Sequence, residues 1–415
     1  MEYYSIVTIL VVLSAIFGYI NVRFLKLPIT IGLMLITIIF TLALIMLAQF
    51  DDTLLTREKA FINGIDFETV LLDIMLSFLL FAGALHTNFE QLKIQRGPIL
   101  MFATLGVLVS TFLVGGAMFY ILNGIGLEVT FINCLLFGAL ISPTDPIAVL
   151  GILKKAGAPK KLETKIVGES LFNDGVGVVI FLTIFAVAAQ PNKAIDISDI
   201  ATLFGQEVIG GIALGLLLGW ITYRLMRSID SYEIEVILTI ASVMGGTMLA
   251  HKFHLSAPLA MVTSGLMVGN DTVRNSAMSE TTEAYVDKFW ELIDVFLNTI
   301  LFVMIGMEML VLTLGRNYIY AGLLAIPVIL LCRYLSLWLP IKIFSKKLDF
   351  VPKTNLIMTW GGLRGGISIA LALSLSKDMN RELFLVITYV VVVVSILGQG
   401  LTVEPIIKRL TRNAT

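Results

Sequence analysis

Residues 141–146 read Ile141-Ser142-Pro143-Thr144-Asp145-Pro146, a break at the end of an otherwise apolar stretch. Two prolines three positions apart remove two backbone donors and sterically block a regular helix between them. The surrounding run, 130–151, has the roughly 20 residues that crossing about 30 Å of hydrocarbon requires. In lipid the freed backbone groups need partners, so such a break is tolerated only where it faces protein or a wet cavity. Thr144 and Asp145 sit in the gap. The plainer alternative is a proline kink with an aspartate capping the helix end.

The next apolar run carries Gly168-Glu169-Ser170-Leu171-Phe172-Asn173-Asp174-Gly175. At 100° per residue, Glu169, Ser170, Asn173 and Asp174 share an arc of about 140°. A helix beginning at 165 would put Asp174 about 13 Å deep, close to a bilayer midplane. Ionisable groups at that depth are expensive and mark an ion pathway or a pair. The structural alternative requires four polar side chains, two of them acidic, simply to satisfy one another.

A third unusual run is Thr359-Trp360-Gly361-Gly362-Leu363-Arg364-Gly365-Gly366-Ile367-Ser368. Four glycines around one arginine weaken a helix and let backbones approach closely. Small-residue helix packing would account for the glycines, but not for the buried charge of Arg364. Arg333, in Leu331-Cys332-Arg333-Tyr334, also lies mid-span and calls for an acidic partner, with Glu169 the candidate. Snorkelling to the interface is the other possibility.

The rest of the chain agrees with a membrane setting. Of 415 residues, 57% are hydrophobic and 14% charged, and mean hydropathy is +0.93, too little charge to cover a soluble surface. A net charge of −1 gives no basic excess for nucleic acid. Cys134 and Cys332 fall in apolar runs without ligand-spaced partners, so neither a disulfide nor a resident metal is indicated, and no cofactor is expected. Met1-Glu2-Tyr3-Tyr4 leads into an apolar run without a basic n-region, which reads as a first span rather than a leader.

The expected fold is therefore an all-α membrane protein, a single transporter domain over 1–415 with thirteen spans. They lie near 3–22, 28–49, 67–87, 97–122, 130–151, 165–189, 204–226, 233–251, 255–270, 286–313, 317–344, 354–375 and 382–405. Alternating their connections places 20 Lys and Arg in one set of loops and 7 in the other, with Arg333 and Arg364 inside spans. That bias orients the N-terminus outside and the C-terminus inside. Segments five and twelve then run in opposite directions. A pair of interrupted helices in matching positions of inverted halves points to a transporter's binding site. There Asp145 would offset positive helix ends and Arg364 negative ones. Asp73, His86, Glu207, Asp294, Asn298 and Glu308 lie in or at the edges of spans. Asp294 and Asn298, four apart in segment ten, line an access funnel or bond between helices.

These residues resemble a known family. SPTDPIAVLGILKKAGAPKKLETKIVGESLFNDGVGVV (142–179), LLFAGALHTNFEQL (79–92), FWELIDVFLNTILFVMIGMEM (289–309), CRYLSLWLP (332–340) and GGLRGGISIALAL (361–373) are similar to the monovalent cation/proton antiporters. They fit the branch with prokaryotic Na⁺/H⁺ antiporters of the NhaP type and animal Na⁺/H⁺ exchangers. The resemblance implies thirteen helices with helices five and twelve unwound and crossed. It also implies a homodimer in the plasma (inner) membrane among its lipids, with a scaffold of helices 1–3 and 7–10 and a moving core of helices 4–6 and 11–13. By motif position, Asp174 binds the cation or proton. Asn173, Ser170 and Thr144 support it, Asp145 lies beside the ion, Glu169 pairs with Arg333, and Arg364 stabilises the break. Na⁺ would thus meet Asp174, Asp145, Ser170 and Thr144. Many relatives of that family carry an acidic residue in segment three where this chain has Ala82; Asp73 could substitute from another turn. The Asn173-Asp174 pair resembles the electroneutral branch.

On this reading Na⁺ and H⁺ compete for one carboxylate, and only the occupied, neutral site crosses readily. The chain would be a carrier and not an enzyme, since no nucleophile motif accompanies the aspartates. K⁺ or Li⁺ as transported ion, and a cation channel, are the alternatives.

Overall fold

The computed structural model describes residues 2–47, 66–67, 69–145, 149, 151, 153, 158–189, 197–313, 315–345 and 350–411. Every regular element among them is helical. In chain order these include α1 (Glu2–Ile20), α2 (Ile29–Leu47), α3 (Leu76–Leu85, entered through a wide turn at Thr69–Met75), the short α4 (Phe89–Ile94), α5 (Arg96–Gly124) and α6 (Phe131–Ile141). Next come α7 (Lys160–Ala188), α8 (Ile197–Met226), α9 (Tyr232–Lys252), α10 (Ala257–Val268) and the short α11 (Asp271–Ala277). The chain continues through α12 (Glu280–Glu308), α13 (Arg316–Phe344), α14 (Thr354–Trp360), α15 (Gly366–Leu373) and α16 (Arg381–Leu410).

Among the described residues, nine helices are long and apolar enough to cross a bilayer. Thr69–Leu85, α6 and α10 are shorter apolar helices. Helix starts follow local chemistry: the side chains of Thr130, Ser256 and Ser279 each accept from the backbone N–H three residues on, capping α6, α10 and α12. The outward faces carry Val12, Trp220, Met244, Met248 and Trp338 exposed, which suits lipid and not water. Only 22% of the apolar window is buried in α1 and α8, against 56% in α7 and 72% in α16, so α7 and α16 are central and α1 and α8 peripheral.

Two expectations need correction. α7 starts at Lys160, five residues before the expected 165, because Pro159 precedes its first turn and Glu163 lies within it. Asp174 is thereby the middle residue of a 29-residue helix. Lys165, the first residue of the expected span, is 1% exposed within α7, its ammonium 3.9 Å from the centre of the Phe350 ring. Arg333 does not snorkel: it is buried near the middle of α13.

Two elements are interrupted. α6 stops at Ile141, residues 142–145 are not helical, and helix is again present at the described positions 149, 151 and 153. The pair α14 and α15 is split by 361–365.

Candidate functional site

The two interruptions meet. The Asp145 N–H donates to the carbonyl of Leu363 at 2.8 Å, a backbone bond between chain regions with no shared secondary structure. Around it, groups freed by the breaks find partners inside the protein, as burial in a membrane requires. Arg364 Nη1 donates to the carbonyls of Ser142 and Pro143, the latter at 2.9 Å, at the C-terminal end of α6. The Arg364 N–H donates to Ser395 Oγ at 3.0 Å. Gln399 Nε2 donates to the Trp360 carbonyl at 3.0 Å, and Arg333 Nε to that of Met358 at 3.2 Å. At the N-terminus of α15, a Cβ on Gly365 would lie 2.7 Å from Asp145 Oδ2, so glycine there lets the carboxylate reach the helix end.

α7 lies against this junction. Asn173 Oδ1 accepts from the Thr144 N–H at 3.3 Å, Asn173 Nδ2 donates to Thr144 Oγ1 at 3.0 Å, and Thr144 Oγ1 lies 2.9 Å from Ser170 Oγ. One turn away, Glu169 and Arg333 form a two-pronged ion pair, with Nη1–Oε1 at 3.0 Å and Nη2–Oε2 at 3.2 Å. The four polar residues of α7 therefore divide: Glu169 faces α13, while Asn173 and Ser170 hold Thr144.

A cavity of about 50 Å³ remains between the breaks, α7, α3 and α12. Thr144, Asp145, Asp174, Asn298, Gly365 and Ser368 line it, with Leu71, Leu79 and Leu80 among its apolar walls. Asp174 is 4% exposed and Thr144 1%. Two carboxylates, two hydroxyls and loosened backbone in a space this size make an oxygen-rich environment for one small hard cation or a proton. Ser170 and Asn173 do not line the cavity but stand behind Thr144. Asn298, expected only as a funnel or bridging residue, does line it. Segment three supplies apolar wall alone: Asp73 faces His251 Nε2 at 3.8 Å and lines a separate space of about 380 Å³. It therefore does not replace the acidic residue that Ala82 lacks.

Other polar groups serve the ends of the bundle. Arg274 in α11 donates to Asp287 at 2.8 Å, Glu283 at 3.1 Å and the Leu85 carbonyl at 3.0 Å. Burial pulls the Arg274 guanidinium down, but Asp287 and Glu283 outweigh it and leave its pKa raised. His86 Nδ1 lies 2.9 Å from the carbonyl of Ala82 and His86 Nε2 4.0 Å from Asp287. Glu207 lines the Asp73 space, and Glu308 a larger one of about 810 Å³ near Arg381.

Comparison with known proteins follows the same lines. The family model for the transmembrane sodium/hydrogen exchanger matches residues 11–409. The chain is 47% identical over 411 residues to the Na⁺/H⁺ antiporter NhaP of Pseudomonas aeruginosa, covering 98% of this chain and 96% of that one. It is 32% identical over 392 residues to the Na⁺/H⁺ antiporter NhaH of Halobacillus dabanensis, covering 94% and 93%. Its fold is similar to that of the sodium proton antiporter MjNhaP1 from Methanocaldococcus jannaschii, with TM-score 0.77, 20% identity and 99% of both chains covered.

Proposed function

The chain belongs to the sodium/hydrogen exchanger family, a multi-pass plasma-membrane protein of the Na⁺/H⁺ antiporter type, and we propose that it exchanges one Na⁺ for one H⁺ at Asp174, electroneutrally and by alternating access. The observation that carries this reading is the meeting of two interrupted helices, Asp145 N–H on the Leu363 carbonyl, beside a cavity lined by both Asp145 and Asp174.

Asp174 is the shared ligand: either a cation or a proton neutralises it, so the two compete and neither needs a separate relay. Asp145 and the Thr144 hydroxyl add oxygens, while Ser170 and Asn173 orient Thr144. A site without either ion is charged, and moving it through a low-dielectric barrier is costly, which suppresses uncoupled leak. Glu169 and Arg333 brace the core, and Arg364 holds the carbonyls that α6 leaves unpaired.

The arrangement of the whole follows from that site. Thirteen spans, counting the shorter helices and the two interrupted segments, place the N-terminus outside and the C-terminus inside, in keeping with the basic-residue bias. The interrupted segments five and twelve cross at the site. Helices 4–6 and 11–13 form a core that slides, elevator-like, against a dimer scaffold of helices 1–3 and 7–10 embedded in lipid. Such exchange serves pH and sodium homeostasis.

The test is a pH-dye assay in proteoliposomes comparing Na⁺, Li⁺ and K⁺, with and without a clamped membrane potential. Proton movement driven by Na⁺ and indifferent to the clamp is the expected result. Response to K⁺ alone makes the protein a K⁺/H⁺ antiporter, a voltage-dependent rate overturns the 1:1 stoichiometry, and large single-channel currents make it a channel.

A further inference from the structure

α12 brings an amide to the cavity. Gly366, where a Cβ would lie 2.7 Å from Leu301, seats the start of α15 on the α12 face that carries Asn298 three residues earlier. Asn298 is 2% exposed and lines the same cavity as Asp145 and Asp174. Its Nδ2 donates to the Asp294 carbonyl at 2.8 Å and to Asp294 Oδ1 at 3.1 Å, both on the preceding turn of its own helix. Its Oδ1 is buried and has no hydrogen-bond partner within the protein.

That pattern fixes which way the amide points. Reversing it would turn Oδ1 toward the two Asp294 oxygens, acceptor against acceptor, so the network allows one orientation. It also excludes helix–helix bonding, because both bonds found for the Asn298 side chain stay inside α12. A buried carbonyl oxygen left without a donor is unfavourable unless something cationic or protic meets it. In this cavity the transported ion is such a group, and hard monovalent cations take oxygen ligands.

We propose that Asn298 Oδ1 is a direct ligand of the transported cation, and that Asp294 is a positioning residue that holds the amide with its oxygen toward the cavity. The inference rests on the antiport reading of the same site and adds a ligand that the proton does not require. A neutral amide oxygen can coordinate a cation but is too weak a base to take the exchanged proton. Asn298 therefore weights the competition at Asp174 toward the cation and contributes to discrimination among alkali ions.

The experiment compares wild type with Asn298→Ala, Asn298→Leu and Asp294→Ala by the proteoliposome pH-dye assay. It also follows the cation-dependent rise in melting temperature of the purified proteins, titrating Na⁺, Li⁺ and K⁺ separately. Loss of one ligand oxygen should raise the apparent Na⁺ constant about tenfold in both Asn298 variants. It should also change the Na⁺ to Li⁺ ratio, while the pH dependence of the melting temperature without added cation stays near wild type, because the amide takes no proton. Asp294→Ala should shift the Na⁺ constant in the same direction and by less. Unchanged cation constants and an unchanged Na⁺ to Li⁺ ratio in a folded Asn298 variant overturn the proposal. If neither Asn298 variant folds, an unchanged Na⁺ constant in Asp294→Ala overturns it. A wild type that responds to K⁺ alone defeats the sodium reading, and the same comparison then decides Asn298 on K⁺; a wild type that responds to no cation defeats both.

Discussion

Arg333 meets Glu169 fork to fork, with two N–H···O contacts of 3.0 and 3.2 Å between side chains that are 5% and 1% exposed. The remaining Arg333 Nε donates to the Met358 carbonyl at 3.2 Å, so one guanidinium ties α13 to both α7 and α14. Two-pronged pairing fixes direction as well as charge, which a lysine could not do. Glu169 is thereby committed to the framework, which on the proposed reading leaves Asp174, about one turn further on, to the ion.

Removing one partner of such a pair leaves a buried charge without compensation. Glu169→Ala should therefore destabilise the protein by about 3–5 kcal/mol. The double variant Glu169→Leu, Arg333→Met should recover much of that loss, since it leaves neither charge behind. Thermal melting of the purified proteins reads both. A single variant that melts with wild type would show that the pair contributes nothing to the framework.

Asp174→Asn keeps shape and volume but removes the one group that both ions neutralise in the proposed exchange. Na⁺-dependent proton efflux should fall to the level of empty liposomes, while elution volume and helix content remain those of wild type. Retained exchange would mean that coupling lies elsewhere, with Asp145 the next carboxylate to substitute.

Gly365→Ala is a sharper probe, because the three nearest atoms its Cβ would meet all belong to Asp145. The backbone there is extended, with φ −124° and ψ −162°, so a Cβ causes no conformational strain. What it meets is Asp145, with Oδ2 at 2.7 Å and Cβ at 2.9 Å. The carboxylate must withdraw from the cavity, and the apparent Na⁺ constant should rise about tenfold or more, as expected for a displaced charged ligand. Because Asp145 Cβ itself lies at 2.9 Å, rotation of the carboxylate alone does not relieve the contact, and the melting temperature should fall as well. Na⁺ titration of the transport rate measures this, and a wild-type constant would place Asp145 outside the site.

Much of this was legible in the chain because a bilayer enforces simple rules. Apolar length located the long helices, and Pro143 with Pro146 and the glycines at 361, 362, 365 and 366 marked both breaks, since each removes a donor or a side chain that a buried helix needs. The start of α7 was not legible: four of the five residues from Lys160 to Thr164 are polar, only Leu162 being apolar, yet they continue the helix. The contact of Lys165 with the Phe350 ring was not legible either, because the two are distant in sequence. Asp73 was a sound candidate by composition and failed by direction, pointing at His251. Asn298 could be picked out as polar in an apolar helix, but the orientation of its amide depends on Asp294, and its cavity is closed by residues from four other segments.

Arg364 supplies the last prediction. Its Nη1 reaches the carbonyls of Ser142 and Pro143 just past the end of α6, and the residue four places after Ser142 is Pro146, which has no N–H to offer it. Its own N–H is taken by Ser395, so the side chain and the backbone of one residue each fasten a different part of the junction. Arg364→Gln keeps a donor but loses reach and charge, leaving at least one buried carbonyl bare at about 1–3 kcal/mol. The loss should appear as lower thermal stability together with a fall in transport rate at saturating Na⁺, because the carbonyls that move are those next to Thr144. Arg364→Lys keeps the charge with a single point donor, and should retain more stability than the glutamine variant while still transporting more slowly than wild type. If the glutamine variant loses stability but transports at the full rate, Arg364 holds the fold without shaping the site; if lysine restores both properties completely, charge alone is what the junction needs.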